Sequence, residues 1–95
     1  MPENRDGPCA EMWLQQHRGW QLRNGKLWSV RHFPDYAKAV EFLLAVARLA
    51  EKQQHHPELK LGYGFVEIEV WTHDVRGLTG KDEALAEAID LLGLE

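Results

Sequence analysis

At 95 residues the chain has room for one hydrophobic core and no second domain, so any active site must be shallow or shared between subunits. Eleven Lys and Arg against fifteen Asp and Glu give a net charge of -4, which argues against the basic footprint that a phosphate backbone or an anionic membrane demands. The one cysteine, Cys9, excludes an intrachain disulfide and a cysteine-based zinc site. The opening MPENRDGPCAE is polar and acidic, without the basic and apolar segments of a targeting signal, and no apolar run approaches the roughly 20 residues of a membrane span. The expectation is a cytoplasmic protein with one domain over residues 1–95, the first nine a flexible leader.

In chain order, AEMWLQQH (residues 10–17) gathers Met12, Trp13 and Leu14 within one or two turns and reads as a brief helix starting near Pro8. Asn24-Gly25, between two runs rich in Trp, Leu and Val, supplies the positive φ angles of a type I′ hairpin. A strict two-residue turn puts Trp20, Leu22 and Leu27 on one face and Trp28 and Val30 on the other; a bulge would change which face is core. Asp35 is placed to cap a long helix whose apolar residues at 36, 40, 43, 44, 47 and 50 form a stripe, and Pro57 is expected to end it.

A second hairpin follows in LKLGYGFVEIEVWTHD, turning near Gly62 to Gly64, its outgoing strand alternating Val66, Ile68, Val70 against Glu67, Glu69, Trp71. Thr79 and Asp82 stand at capping-box spacing before a last helix with Leu85, Ala88, Ile89 and Leu92 on one side. The order α-β-β-α-β-β-α implies an α+β fold: a two-layer sandwich with a four-stranded antiparallel sheet and its helices on one face. The sheet edges favour a homo-oligomer, a homodimer or homotetramer.

The chemistry-bearing stretch is EKQQHHPE, residues 51–58. With the second hairpin turning at Tyr63-Gly64, His73 lies opposite positions 53 to 55, so three imidazoles, His55, His56 and His73, converge. Glu51, four residues before His55, shares its helical face and is expected to hold that ring. Pro57 aims His56 elsewhere. Trp71 shares its strand face with His73 and would flank the imidazoles, while Asp82 lies nine residues beyond His73. Imidazoles suit proton transfer near neutral pH, and two of them in opposite protonation states form a dehydratase without a metal or a covalent nucleophile. A His-His pair at a helix end is by itself usually a solvated terminus where the helix dipole favours a cation. Asp82 could serve only as a helix cap, Trp71 only as an interface residue, and three histidines could bind zinc.

The string E-x-x-x-H-H-P (51–57), with Tyr63, T-H-D (72–74), G-L-T (77–79) and Asp82, resembles the signature of the pterin-4a-carbinolamine dehydratases over about three quarters of the chain, from Trp20 onward. The resemblance implies the same α+β fold and removal of water from 4a-hydroxytetrahydropterin to give quinonoid dihydropterin. It implies His55 and His73 as acid and base and His56 as an anchor for the pterin. Glu51, Gln54, Trp71, Thr72, Asp74 and Asp82 would line or orient the pocket. The pterin is then substrate, and no cofactor or metal is implied. Trp71 stands where animal members carry a small serine, Gln54 where an acidic or amide residue is usual, and Leu59 where many carry tryptophan. The W-T-H variant is also similar to a branch of this fold that includes Rubisco assembly-factor-like proteins, which bind protein; some relatives are transcription cofactors.

Overall fold

A computed structural model describes residues 8–72 and 78–93. Its elements are α1 (Pro8–Gln16), β1 (Gln21–Arg23), β2 (Lys26–His32), α2 (Tyr36–Gln53), β3 (Glu58–Gly62), β4 (Phe65–Val70) and α3 (Gly80–Asp90). The four strands form one antiparallel sheet in the order β1-β2-β4-β3. This is the expected α+β order, with α2 packed on β3 and β4 and against α3.

The first turn has no bulge. Asn24 and Gly25 take φ of 52° and 75°, and Arg23 pairs with Lys26, Leu22 with Leu27 and Gln21 with Trp28. A type I′ turn matches the strand twist, which is why Asn-Gly suffices to set this register. Leu27, Ser29 and Arg31 consequently point inward with Val66, Ile68 and Val70 of β4, while Trp28 and Val30 face the open side. The second hairpin pairs Gly62 with Phe65 and Glu58 with Glu69, so it turns at Tyr63-Gly64 as the sequence suggests. Gly64 is required there: a β-carbon would meet the Phe33 carbonyl oxygen at 2.9 Å, and Phe33 N–H donates to the Gly64 carbonyl at 2.8 Å.

The long helix is rotated from expectation. Ala39, Phe42, Val46 and Ala50 are its buried residues, whereas Tyr36 and Leu44 of the predicted stripe are 51% and 45% exposed. Apolar residues cover more than half of this helix's circumference, so periodicity alone admits two stripes; the one carrying Phe42, the largest fully buried side chain, faces the sheet. Nor does Pro57 end the helix. Gln54, at φ 53°, closes it in the left-handed region, with Gln54 N–H donating to Glu51 O and His55 N–H to Ala50 O, the paired bonds of a Schellman motif.

The last helix is tied down by polar groups that hydrophobic patterning does not reveal. Trp13 Nε1 donates to Glu87 Oε2 at 2.8 Å and Trp20 Nε1 to Asp90 Oδ1 at 3.1 Å. Arg31, 6% exposed on the core face, donates to the same Asp90 oxygen at 2.6 Å and to Ser29 Oγ at 2.8 Å, and Ser29 donates to the Gly19 carbonyl. The buried guanidinium is therefore paired and hydrogen-bonded, as a charge in a core must be. On α3 the inward residues are Leu85, Ala86 and Ile89, so Ala86 takes the place expected of Ala88.

Candidate active site

The left-handed turn at Gln54 directs the chain off α2 so that the two adjacent histidines find different partners. His55, with a side chain 12% exposed, has Nε2 2.6 Å from Oδ1 of a fully buried Asp82. His56, 57% exposed, has Nε2 2.5 Å from Oε2 of Glu51. The expected Glu51–His55 pair is thus corrected. Four-residue spacing assumes that the helix continues to His55, and the Schellman turn ends it one residue earlier.

Asp82 reaches His55 because it belongs to a capping box. Thr79, the N-cap of α3, accepts Lys81 N–H on its hydroxyl, and its own N–H donates to Asp82 Oδ2 at 2.8 Å. Thr72, buried just past the end of β4, donates to the same oxygen at 3.0 Å and lies 2.8 Å from Thr79 Oγ1. Cap and site partner are therefore one residue: Oδ2 holds the helix start and Oδ1 holds the imidazole. A carboxylate at a helix N-terminus is further favoured by the dipole. Thr79 is the constituent that the sequence reading placed only as a cap.

Gln54 turns its side chain back to donate to the Glu51 carbonyl at 2.7 Å. Trp71 lies under Lys26, whose Nζ is 4.1 Å from the ring centroid, as the β2–β4 register would place it on the open face of the sheet, while the next residue, Thr72, is buried beside Asp82. His73 and Asp74 lie outside the described residues. Two hollows lie elsewhere: one of about 190 Å³ on the open sheet face along Glu58, Lys60, Glu67 and Glu69, and one of about 260 Å³ between His17, Glu87, Asp90 and Leu91. Neither of these two, among the described residues, is lined by His55 or His56. Among the described residues no group of three or more His, Cys, Asp and Glu side chains is arranged to hold a metal ion.

Fold and site together define a two-layer α+β domain with two carboxylate-held imidazoles side by side, one sheltered and one open. Such pairs can take up and release protons while the carboxylate keeps each ring oriented. Comparison with known proteins narrows this further. The family model for pterin 4 alpha carbinolamine dehydratase matches residues 7–92. The chain belongs to that family.

Relatives bearing the family's name include one from Chloroflexus aurantiacus, 39% identical over 90 residues that span 95% of this chain and 96% of its own length. Another, from Prochlorococcus marinus, is 46% identical over 74 residues, 78% of this chain and 77% of the relative. The chain spans about three fifths of the Rickettsia bellii relatives, at 44% identity over 69 residues (61% of their length and 73% of this chain). A crystal structure described as a transcriptional coactivator/pterin dehydratase from Brucella melitensis superposes with a TM-score of 0.88 at 26% identity, covering 94% of this chain and 97% of that one. A pterin dehydratase-like protein identified as a RuBisCO assembly factor in the alpha-carboxysome superposes with a TM-score of 0.65 at 28% identity, over 77% of this chain and 84% of that one.

Proposed function

We propose that the protein removes water from a 4a-hydroxytetrahydropterin, acting as a 4a-hydroxytetrahydrobiopterin dehydratase in tetrahydropterin recycling. The observation that carries this reading is the sheltered His55–Asp82 pair beside the open His56–Glu51 pair, in a chain of this family. In the reaction the N5–H proton is removed, the N5 electron pair forms the double bond to C4a, and the C4a hydroxyl departs with a proton as water. His55 and His73 exchange these two protons, and His56, exposed and hydrogen-bonded to Glu51, anchors the pterin. Thr72 and Asp82 orient His55; Gln54, Trp71 and Asp74 are the outer residues that would set which pterin fits. The pterin is substrate, with no cofactor. Cytoplasmic residence suits a step that follows a hydroxylase. A homodimer or homotetramer is supported by the apolar side of α2 left open at Tyr36 and Leu44.

The test is the decay of 4a-hydroxypterin absorbance in a coupled aromatic-amino-acid hydroxylase assay. Acceleration by wild-type protein, abolished in His55→Ala, is the expected result; no acceleration would sink the reading.

A second reading is a protein-binding role without catalysis, favoured by the likeness to the RuBisCO assembly factor and the coactivator. It requires a protein partner whose binding survives His55→Ala and His56→Ala together, and loss of that partner in the double variant would count against it.

A further inference from the structure

We infer that Asp82, held as a carboxylate by Thr72 O–H and Thr79 N–H on its Oδ2, fixes His55 as the Nε2–H tautomer and makes Nδ1 the atom through which protons pass. For its catalytic meaning this rests on the acid–base reading above; its chemistry stands without it.

The buried donors admit one order of protons. Thr72 gives its single hydroxyl proton to Asp82 Oδ2, so the 2.8 Å contact between the two threonine hydroxyls must be donated by Thr79. Thr79 in turn accepts from the Lys81 backbone N–H, which can only donate. The chain therefore runs one way, from the Lys81 amide through Thr79 and Thr72 to Asp82, and Thr79 N–H adds a second donor to the same Oδ2. Asp82 is fully buried, with Oδ2 taking both donors and Oδ1 facing His55 Nε2.

His55 completes the set. A lone pair on Nε2 facing a carboxylate oxygen at 2.6 Å would be repulsive, so Nε2 must bring the proton. In the neutral ring the lone pair is then on Nδ1, which has no hydrogen-bond partner among the described residues. A neutral His55 accepts a proton there and an imidazolium returns it there, while the Nε2–H bond to Asp82 stays in place throughout. Thr72 is accordingly a positioning residue: with the Thr79 N–H it holds the Asp82 carboxylate that orients the ring.

The donors on the Oδ2 side make an unusual prediction for Asp82→Asn. Thr72 O–H and Thr79 N–H would hold the amide oxygen on their side and aim the amide NH2 at His55, which must then accept on Nε2 and carry its proton on Nδ1. The tautomer should flip. Loss of the working tautomer by this same substitution is worth about 10⁴-fold in kcat in the serine-protease triad.

The experiment is imidazole nitrogen-15 spectroscopy of the full chain, taken to alkaline pH so that the neutral ring is the species read, with the His55 signals assigned by their disappearance in His55→Gln. Wild type should show Nε2 protonated and Nδ1 bare; Asp82→Asn should show the reverse. Thr79→Val leaves the backbone N–H of residue 79 and Thr72 O–H as donors to Oδ2, so its ring should stay protonated on Nε2. A wild-type ring protonated on Nδ1 overturns the inference, as does an Asp82→Asn ring unchanged from wild type. A folded Thr79→Val ring protonated on Nδ1 would overturn it as well. The spectra need no substrate, so the expected tautomers in a protein without dehydratase activity would overturn the proposed reaction and leave this inference standing.

Discussion

His55 and Asp82 meet at 2.6 Å although 27 residues separate them, and Asp82 is fully buried while Glu51, only four residues from His55, is 72% exposed and holds His56 instead. The difference in burial makes the two carboxylates unequal in cost. Asp82→Ala leaves Thr72 O–H and Thr79 N–H without their buried acceptor and removes half of the capping box, which should lower stability by about 2–4 kcal/mol. Glu51→Ala loses an exposed pair worth within about 1 kcal/mol. Urea denaturation of both variants checks the contrast; equal midpoints would contradict it.

Asp90 joins three elements by accepting from Arg31 on β2 and Trp20 ahead of β1 while standing at the end of α3. Asp90→Ala removes one charged acceptor from a guanidinium that is 6% exposed and keeps its bond to Ser29, and the cost should be about 1.5–3 kcal/mol. Arg31→Met removes the charge with its partner still able to reach water, so it should destabilise less. Thermal unfolding of the two variants orders them.

Gln54 occupies the left-handed region that a glycine enters without strain. Gln54→Gly should raise stability by about 0.5–1 kcal/mol, the relief of strain outweighing the added freedom of the unfolded chain. A denaturation midpoint below that of wild type would contradict this balance.

Glu58 and Glu69 face each other across β3 and β4, like charges in directly opposed positions on the open side of the sheet. Glu58→Lys converts repulsion into an opposite-charge pair and should stabilise by about 0.5 kcal/mol at low salt, the gain shrinking as ionic strength rises. Melting curves at two salt concentrations measure both effects.

Gly64 abuts the Phe33 backbone with no room for a methyl group. Gly64→Ala should cost about 1–3 kcal/mol, since the neighbour is a main-chain oxygen rather than the end of a flexible side chain. A variant as stable as wild type would show that the hairpin can shift away from β2.

Much of the architecture is local physics and was legible in the residues. Asn24-Gly25 sets one hairpin because its positive φ angles are intrinsic to those residue types, and Val66-Ile68-Val70 announces a half-covered strand because side chains alternate with a period of two. Thr79 and Asp82 announce a helix start because the capping box closes within four residues. The family signature drew attention to the histidines for the same reason: it is a pattern of residue types at fixed spacing.

Tertiary structure alone decided what those residues touch. Which stripe of α2 is buried depended on the volume the sheet offers Phe42, a quantity periodicity does not contain. The Arg31–Asp90–Trp20 group joins three separate parts of the chain, and a single arginine in a strand gives no sign of it. The partner of His55 depended on Gln54 adopting a left-handed turn, which no rule of helical spacing anticipates, and on β4 delivering Thr72 to the start of α3. Sequence determines which groups are able to carry protons. Only packing determines that a buried carboxylate, ringed by donors, receives one imidazole and leaves its neighbour to the surface.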